Sequence, residues 1–394
     1  MIVRSKQIYL EDSCFDGFLI VENGLIKAVE PATADLAADI NASEFRVIPG
    51  IFDTHNHGTY GYNLLDRVDD MPKEIRGYLK GLAAQGVTSI LPTPEYDLIA
   101  DIAEMAQKEN DGAKIVGIHS EGPYLNRVGE KGVDTGHPDV DMAVVRKMVA
   151  DGQGLLKLVA LAPEIENIDE AIDYLNAQKI RLAFAHSNNN YQEAQSAFDK
   201  GLSVSTHTAN VMSGIHHRNM GGLGACLLNE KVWCEVICDG LHVNDEMLRL
   251  MFKVKPYDKF MMVSDSVSIA GAPVGRYNML GFLPVNITEA GFCLSDTGRL
   301  CGSTKSVLYD IGHLVNYVDV PINEALKMAA LNPAICYGLD QRKGSLKVGK
   351  DADFVIIDAD YQALATFSEG RKVFDRLVDT ELFNPAFFEL CSLD

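Results

Sequence analysis

The sequence predicts an α/β protein, with a parallel sheet in a large central domain and a small β-domain built from both ends of its 394 residues. Three observations lead there. Between about residues 49 and 343, short apolar runs each end in a polar residue and are followed by a helix-patterned stretch. Such alternation makes parallel sheets, because strands running the same way need a crossover that a helix supplies. The first 48 residues instead read as short strands, including a hairpin over 18–29 turned at Asn23-Gly24. At the far end, residues 344–353 lead into the apolar run Phe354–Ile357. A lone hairpin is marginal in water, so the two ends are expected to complete each other. The expected boundaries are 1–48 with 344–394 for the small domain, and 49–343 for the large one.

Within the large domain the strand ends carry the chemistry. The first run, over 49–58, reads Pro-Gly-Ile-Phe-Asp-Thr-His-Asn-His-Gly. Side chains alternate along a strand, so Asp53, His55 and His57 are expected on one face, with the two imidazoles close enough to reach one cation. Later runs end at His119-Ser120-Glu121, at His186, at His207, at Asp239-Gly240-Leu241-His242 and at Asp265. Helices are expected over 71–84, 191–200 and 322–331, between such runs.

Composition narrows the function. The net charge of −20 argues against nucleic acid or an anionic membrane as partner, and an anionic substrate would need a local cationic pocket. The eight cysteines form no Cys-x-x-Cys pair and read as reduced thiols. With no apolar leader and no run of about 18 apolar residues, a cytoplasmic chain is expected.

Taken singly, each candidate has a plain structural reading. Glu121 before Gly-Pro could cap a turn, His186 could be a loop residue, and His207 and His242 could be satisfied core or surface histidines. Asp265 could cap the segment that follows it. Together they reverse that balance, since several strands end alike in ligand-type residues. His55, His57, Glu121, His186 and His207 offer two imidazole pairs and a carboxylate, which suit zinc foremost, or iron(II) or manganese. A cation there would lower the pKa of water from 15.7 to about 7. Asp265, with Ser264 and Ser266 able to hydrogen-bond near it, could take the water proton and return it to a leaving group. His242 could polarise a carbonyl. His119 and His313 are read as structural.

The order of these motifs resembles the amidohydrolase superfamily, and within it the deacetylases of N-acetylated amino-sugar phosphates. The resemblance spans nearly the whole chain. It rests on residues 49–58, Leu91-Pro92-Thr93, residues 121–125, Leu161-Ala162-Pro163-Glu164, His186-Ser187-Asn188, residues 206–212, His216-His217-Arg218, residues 238–243, Ser264-Asp265 and Gly302-Ser303. It implies a (β/α)8 TIM-like barrel with a small β-sandwich domain formed by both termini. It implies that Glu121, His186 and His207 hold the main metal and His55 and His57 a second, giving one or two ions per subunit. Asp265 would be the acid/base, His242 would contact the substrate carbonyl, and Asn210 and Val211 would contact the sugar phosphate. His217 and Arg218 would meet the phosphate, reaching it from the neighbouring subunit of a homodimer. The family's Lys-Gly-x-His loop here has extra residues over 131–137, and His137 is its candidate substrate contact. The implied activity is metal-dependent deacetylation of N-acetylglucosamine 6-phosphate to glucosamine 6-phosphate and acetate, with N-acetylgalactosamine 6-phosphate, cyclic amides or nucleobases as alternative substrates.

Overall fold

Residues 1–34, 36–126, 138–281 and 283–391 are described in the computed structural model. Both ends of the chain meet in one eight-stranded sheet. Its order is Arg371–Asp375, Ala363–Ser368, Phe354–Ile357, Arg46–Pro49, Ile2–Tyr9, Cys14–Glu22, Leu25–Pro31, with Ile40–Asn41 also paired to Ile2–Tyr9. The expected hairpin is present, and its turn holds Asn23 at φ 52° and Gly24 at φ 79°. Left-handed conformation at both turn residues matches the twist of the flanking strands. The seam between the termini is the antiparallel pairing of Phe354–Ile357 with Arg46–Pro49. Leu25 at one edge bridges Asp351, so the sheet rolls around Val3, Leu19, Ile26, Val47, Phe354 and Phe367.

The chain leaves this sheet at Pro49 and starts the strand Ile51–Asn56 two residues later. Gly50, the link, donates its N–H to the Asp353 carbonyl at 3.0 Å. A Cβ on Gly50 would lie 2.3 Å from Oγ1 of the buried Thr88. Gly50→Ala is therefore expected to cost about 1–3 kcal/mol, the range for overpacking, read as a lower denaturation midpoint.

Beyond Gly50 every strand of the main array is parallel to its neighbours. Ile51–Asn56, Val87–Pro92 and Lys114–Ile115 form one set. Ile118–Glu121, Leu156–Leu161, Arg181–Phe184, Leu202–Ser205, Trp233–Val236 and Phe260–Met262 form the other, in chain order. Past its last strand the chain returns to the first, where Asn56 bridges Ser266 and the Asp265 N–H donates to the His55 carbonyl at 2.9 Å. The polar strand ends are thereby gathered at one end of the array.

The helices follow from local sequence. Met71–Ala84 starts where Asp70 accepts the Lys73 N–H, and it buries Ile75, Tyr78, Leu79 and Leu82, one face at helical spacing. Tyr191–Asp199 opens with a capping box of Asn190 and Glu193, a few residues beyond His186. The stretch 322–331 departs from expectation, because α-helix Ile322–Leu326 passes into a π-helical turn, Lys327–Leu331. Next to that turn, Asn332 donates through Nδ2 to the carbonyls of Tyr257 and Phe260, both at 2.8 Å. A three-stranded antiparallel unit of Gly275–Met279, Leu283–Ile287 and Cys293–Ser295 interrupts the alternation after Asp265. It has its own apolar cluster, which Phe387 from the C-terminal helix Phe387–Cys391 joins. Among the described residues no helix is long and apolar enough to cross a membrane.

Candidate active site

Four imidazoles from three strand ends converge on one carboxylate, that of Glu121. Oε1 of Glu121 lies 3.1 Å from His186 Nε2 and 2.9 Å from His207 Nε2. Oε2 faces the other pair, 3.2 Å from His57 Nε2 and 3.5 Å from His55 Nε2. Within each pair the Nε2 atoms are 3.1 Å apart. Asp265 Oδ1 sits against the first pair, 3.5 Å from His55 and 3.4 Å from His57. His186, His207 and Asp265 hold φ of 46°, 30° and 48°, the left-handed region that residues other than glycine rarely occupy. Strain of this kind persists only where surroundings over-determine it. Here each carbonyl is anchored, His186 by the Asn126 N–H at 3.1 Å, His207 by Asn210 at 2.9 Å and Asp265 by Ser303 at 2.9 Å.

Electrostatics bind the cluster. Burial opposes ionisation of Glu121, but the charge of His55 and hydrogen bonds from His186 and His207 hold its carboxyl well below the usual range. Asp265 is likewise buried, and the His55 charge with a hydrogen bond from His57 pulls its pKa below the ordinary carboxylate value. Burial alone would lower His57, yet Asp265 and Glu121 raise it to about 9. These carboxylates call for positive charge at their centre. The donor set fits a divalent cation, because four imidazole nitrogens and a carboxylate point at one another. His57 Nδ1 is 2.9 Å from the Thr93 carbonyl, which can only accept, so the Nδ1 proton goes there and Nε2 is free as a ligand. Two such triads share Glu121, namely His55, His57, Glu121 and Glu121, His186, His207.

His242 flanks the cluster. Its Nδ1 pairs with Asp239 Oδ2 at 2.8 Å, while Asp239 Oδ1 accepts the Leu241 and His242 backbone N–H groups, each at 2.8 Å. Burial disfavours the His242 cation, but the Asp239 pairing raises its pKa overall. Nε2 of His242 is buried with no hydrogen-bond partner. The loop after His207 carries the remaining candidates. Asn210 Nδ2 donates to the His207 carbonyl at 3.3 Å, and Val211 has φ 49°. His217 and Arg218 form the tip of a tight turn closed by paired hydrogen bonds between His216 and Asn219. Arg218 contacts His217 Nε2, and among the described residues no carboxylate pairs with it. His137 lies outside the described residues.

Two expectations are corrected. Asp53 does not join His55 and His57, because a bulge between Asp53 and Asn56 breaks the strand's alternation. Its carboxylate instead accepts from Ser264 Oγ at 2.6 Å, and burial pushes its pKa up to about 6. Ser264 and Ser266 serve Asp53, Asn56 and the Gly58 carbonyl rather than Asp265. Sequence reasoning also missed the supports. Asp239 three residues before His242 was a legible signal of a side-chain-capped turn. Glu164 holds the His186 loop through Ser187 Oγ at 2.7 Å and the Asn188 N–H at 2.6 Å, with no local signal beyond its motif.

The amidohydrolase family model matches residues 46–389. The chain belongs to the amidohydrolase family. This amidohydrolase is 32% identical over 384 residues to an N-acetylgalactosamine-6-phosphate deacetylase of Escherichia coli O157:H7, covering 94% of this chain and 98% of that one. It is also 32% identical to an N-acetylglucosamine-6-phosphate deacetylase of Vibrio furnissii, covering 90% of each. Among solved structures, the N-acetylglucosamine-6-phosphate deacetylase of Pasteurella multocida superposes with TM-score 0.84 at 28% identity, covering 94% of this chain and 98% of that one. A Mycobacterium smegmatis deacetylase, solved as an aspartate-to-alanine mutant with N-acetyl-D-glucosamine-6-phosphate, has TM-score 0.84 at 26% identity, covering 95% and 99%.

Proposed function

We propose that this amidohydrolase deacetylates N-acetylglucosamine 6-phosphate, releasing glucosamine 6-phosphate and acetate in amino-sugar catabolism. The observation that carries the reading is Glu121, whose two oxygens face two imidazole pairs with Asp265 alongside. The array over 49–343 is read as a closed (β/α)8 barrel, and the rolled sheet of residues 1–48 and 344–394 as a β-sandwich domain. Reduced thiols and a soluble sugar phosphate suit a cytoplasmic enzyme.

Glu121, His186 and His207 would hold one divalent cation, and Glu121, His55 and His57 a second, with zinc the best match to this donor set. The cations would supply Lewis acidity that activates water at neutral pH. Asp265 accepts the proton of the attacking water and passes it to the departing nitrogen. Nε2–H of His242 donates to the carbonyl oxygen as charge develops there, and Asp239 holds that ring in register. Asn210 and Val211 meet the sugar phosphate, and His137 remains a candidate beside them. His217 and Arg218, at the tip of their turn, reach the phosphate of the neighbouring subunit's substrate in a homodimer.

With a net charge of −20, a dianionic substrate is repelled at long range and has to be held by a local cation. A guanidinium gives phosphate two parallel hydrogen bonds, which singles out Arg218. Arg218→Ala is expected to lower kcat/KM for the phosphorylated sugar by about 1.5–3 kcal/mol. Turnover of the unphosphorylated sugar, which offers Arg218 no phosphate, should hardly change. Mixing Arg218→Ala with Asp265→Asn chains should restore part of the activity in hybrid dimers. Acetate release from a panel of phosphorylated and plain N-acetyl sugars tests the function itself. N-acetylgalactosamine 6-phosphate belongs in that panel, because one 32%-identical relative carries that specificity in its name. Equal losses on both sugars would make Arg218 structural.

A further inference from the structure

Behind His55 lies a second carboxylate that the reaction above does not use. Glu235, on the strand Trp233–Val236, is fully buried. Its Oε1 accepts a hydrogen bond from Thr54 Oγ1 at 2.6 Å. Its Oε2 is buried without a hydrogen-bond partner, and so is Nδ1 of His55. Those two orphaned atoms face each other at 3.8 Å. An unpaired buried carboxylate oxygen is costly, so the arrangement calls for a donor at that point. The nearby ring of His119 does not supply one through Nδ1, which is 3.0 Å from the Thr54 carbonyl and spends its proton there.

We infer that Glu235 is a positioning residue for the ion held by His55 and His57: it keeps the proton of His55 on Nδ1, so that Nε2 faces the cation as a bare lone pair. The inference rests on the two-ion reading above. A cation on Nε2 and a carboxylate on Nδ1–H reinforce each other, since the carboxylate makes the ring a more basic ligand. Thr54, next to His55 in sequence, locks the other carboxylate oxygen so that Oε2 stays aimed at the ring. The Glu235 carbonyl also accepts the Thr208 N–H at 2.7 Å, so this residue braces the chain beside His207 as well. Only its side chain, however, reaches toward the His55 half of the site.

Glu235→Gln keeps the shape and inverts the chemistry. With its amide oxygen on Thr54, the variant turns an NH2 donor toward His55, which drives the ring proton to Nε2 and blocks the ligand atom. Chelator-stripped full-length protein would be titrated with Zn²⁺ against a chromophoric competitor. Wild type is expected to bind two ions per chain. Glu235→Gln should weaken one of them by about 10–100-fold and leave the other within about twofold. The ion weakened should be the one abolished in His55→Ala. Long-range ¹H–¹⁵N spectra of zinc-loaded, histidine-labelled wild type should place the His55 proton on Nδ1. Thr54→Val, which frees the carboxylate without changing its charge, should act in the same direction by about two- to tenfold, the scale of one hydrogen bond. It carries the test if Glu235→Gln does not fold. Fewer than two ions in wild type would reject the two-ion reading itself. Two ions with both affinities unchanged in the variants, or both equally weakened, would overturn the role of Glu235 alone. A third ion per chain, lost with Glu235, would make His55, His119 and Glu235 a cation site in their own right and overturn it too.

Discussion

Asp265→Asn should lower kcat by about 10²–10⁴-fold, the usual contribution of a general acid/base, while zinc content stays close to that of wild type. The expectation follows from what holds Asp265. Its backbone is fixed on both sides, by its own N–H to the His55 carbonyl and by the Ser303 N–H to its carbonyl, both at 2.9 Å. Its carboxylate, kept ionised against burial by the neighbouring imidazoles, can accept a proton at neutral pH. Asparagine fits the same space and cannot accept that proton. The loss should fall on kcat more than on KM, because the residues proposed to contact the substrate are others. Steady-state acetate release together with metal analysis reads both quantities. A variant within a few-fold of wild type would move proton transfer to another group.

Glu121→Ala should have the other large effect, and on a different quantity. Among the described residues Glu121 is the carboxylate common to both triads, so its loss is expected to remove a proposed ligand from each at once. Zinc content should fall from about two per chain toward zero. Turnover should fall by about 10³-fold or more, as expected from losing several kcal/mol of Lewis-acid stabilisation. The fold should survive, because the apolar core around Ile90, Leu161, Leu182 and Phe260 does not include Glu121. Far-ultraviolet circular dichroism and metal analysis on one preparation separate these outcomes. Full zinc content with normal turnover would end the assignment of Glu121.

Much of the local architecture is legible in the sequence. His55 and His57 two apart near a strand end, the Asn23-Gly24 turn and the helix Met71–Ala84 all follow from interactions within a few residues. Other features are not legible there. The bulge that turns Asp53 away depends on pairing with Val87–Pro92, and a one-residue slip moves a side chain to the opposite face. The left-handed backbone at His186, His207 and Asp265 has no sequence signal, because none of them is glycine. The N–H groups that anchor His186 and Asp265 come from Asn126 and Ser303, far along the chain, and only that of His207 is local, from Asn210. The antiparallel unit from Gly275 to Ser295 is legible in part, since Tyr277 and Met279 alternate with Arg276 and Asn278, and Leu283, Val285 and Ile287 with Pro284 and Asn286. Its strands of three to five residues are too short for that alternation to fix their pairing.

By itself the sequence determined the inventory, meaning which donor types end which strands, where turns fall and which faces are apolar. These follow from local periodicity, backbone preference and side-chain chemistry, none of which needs a distant partner. Only the tertiary structure decided that Glu121 lies between two histidine pairs drawn from strands as far apart as Ile51–Asn56 and Leu202–Ser205. It alone set Glu235 behind His55, and it alone rolled residues from both ends of the chain around one core. The reason is that strand register and sheet curvature are fixed by burial between residues far apart in sequence. Local pattern constrains which side chains can meet, and packing selects those that do.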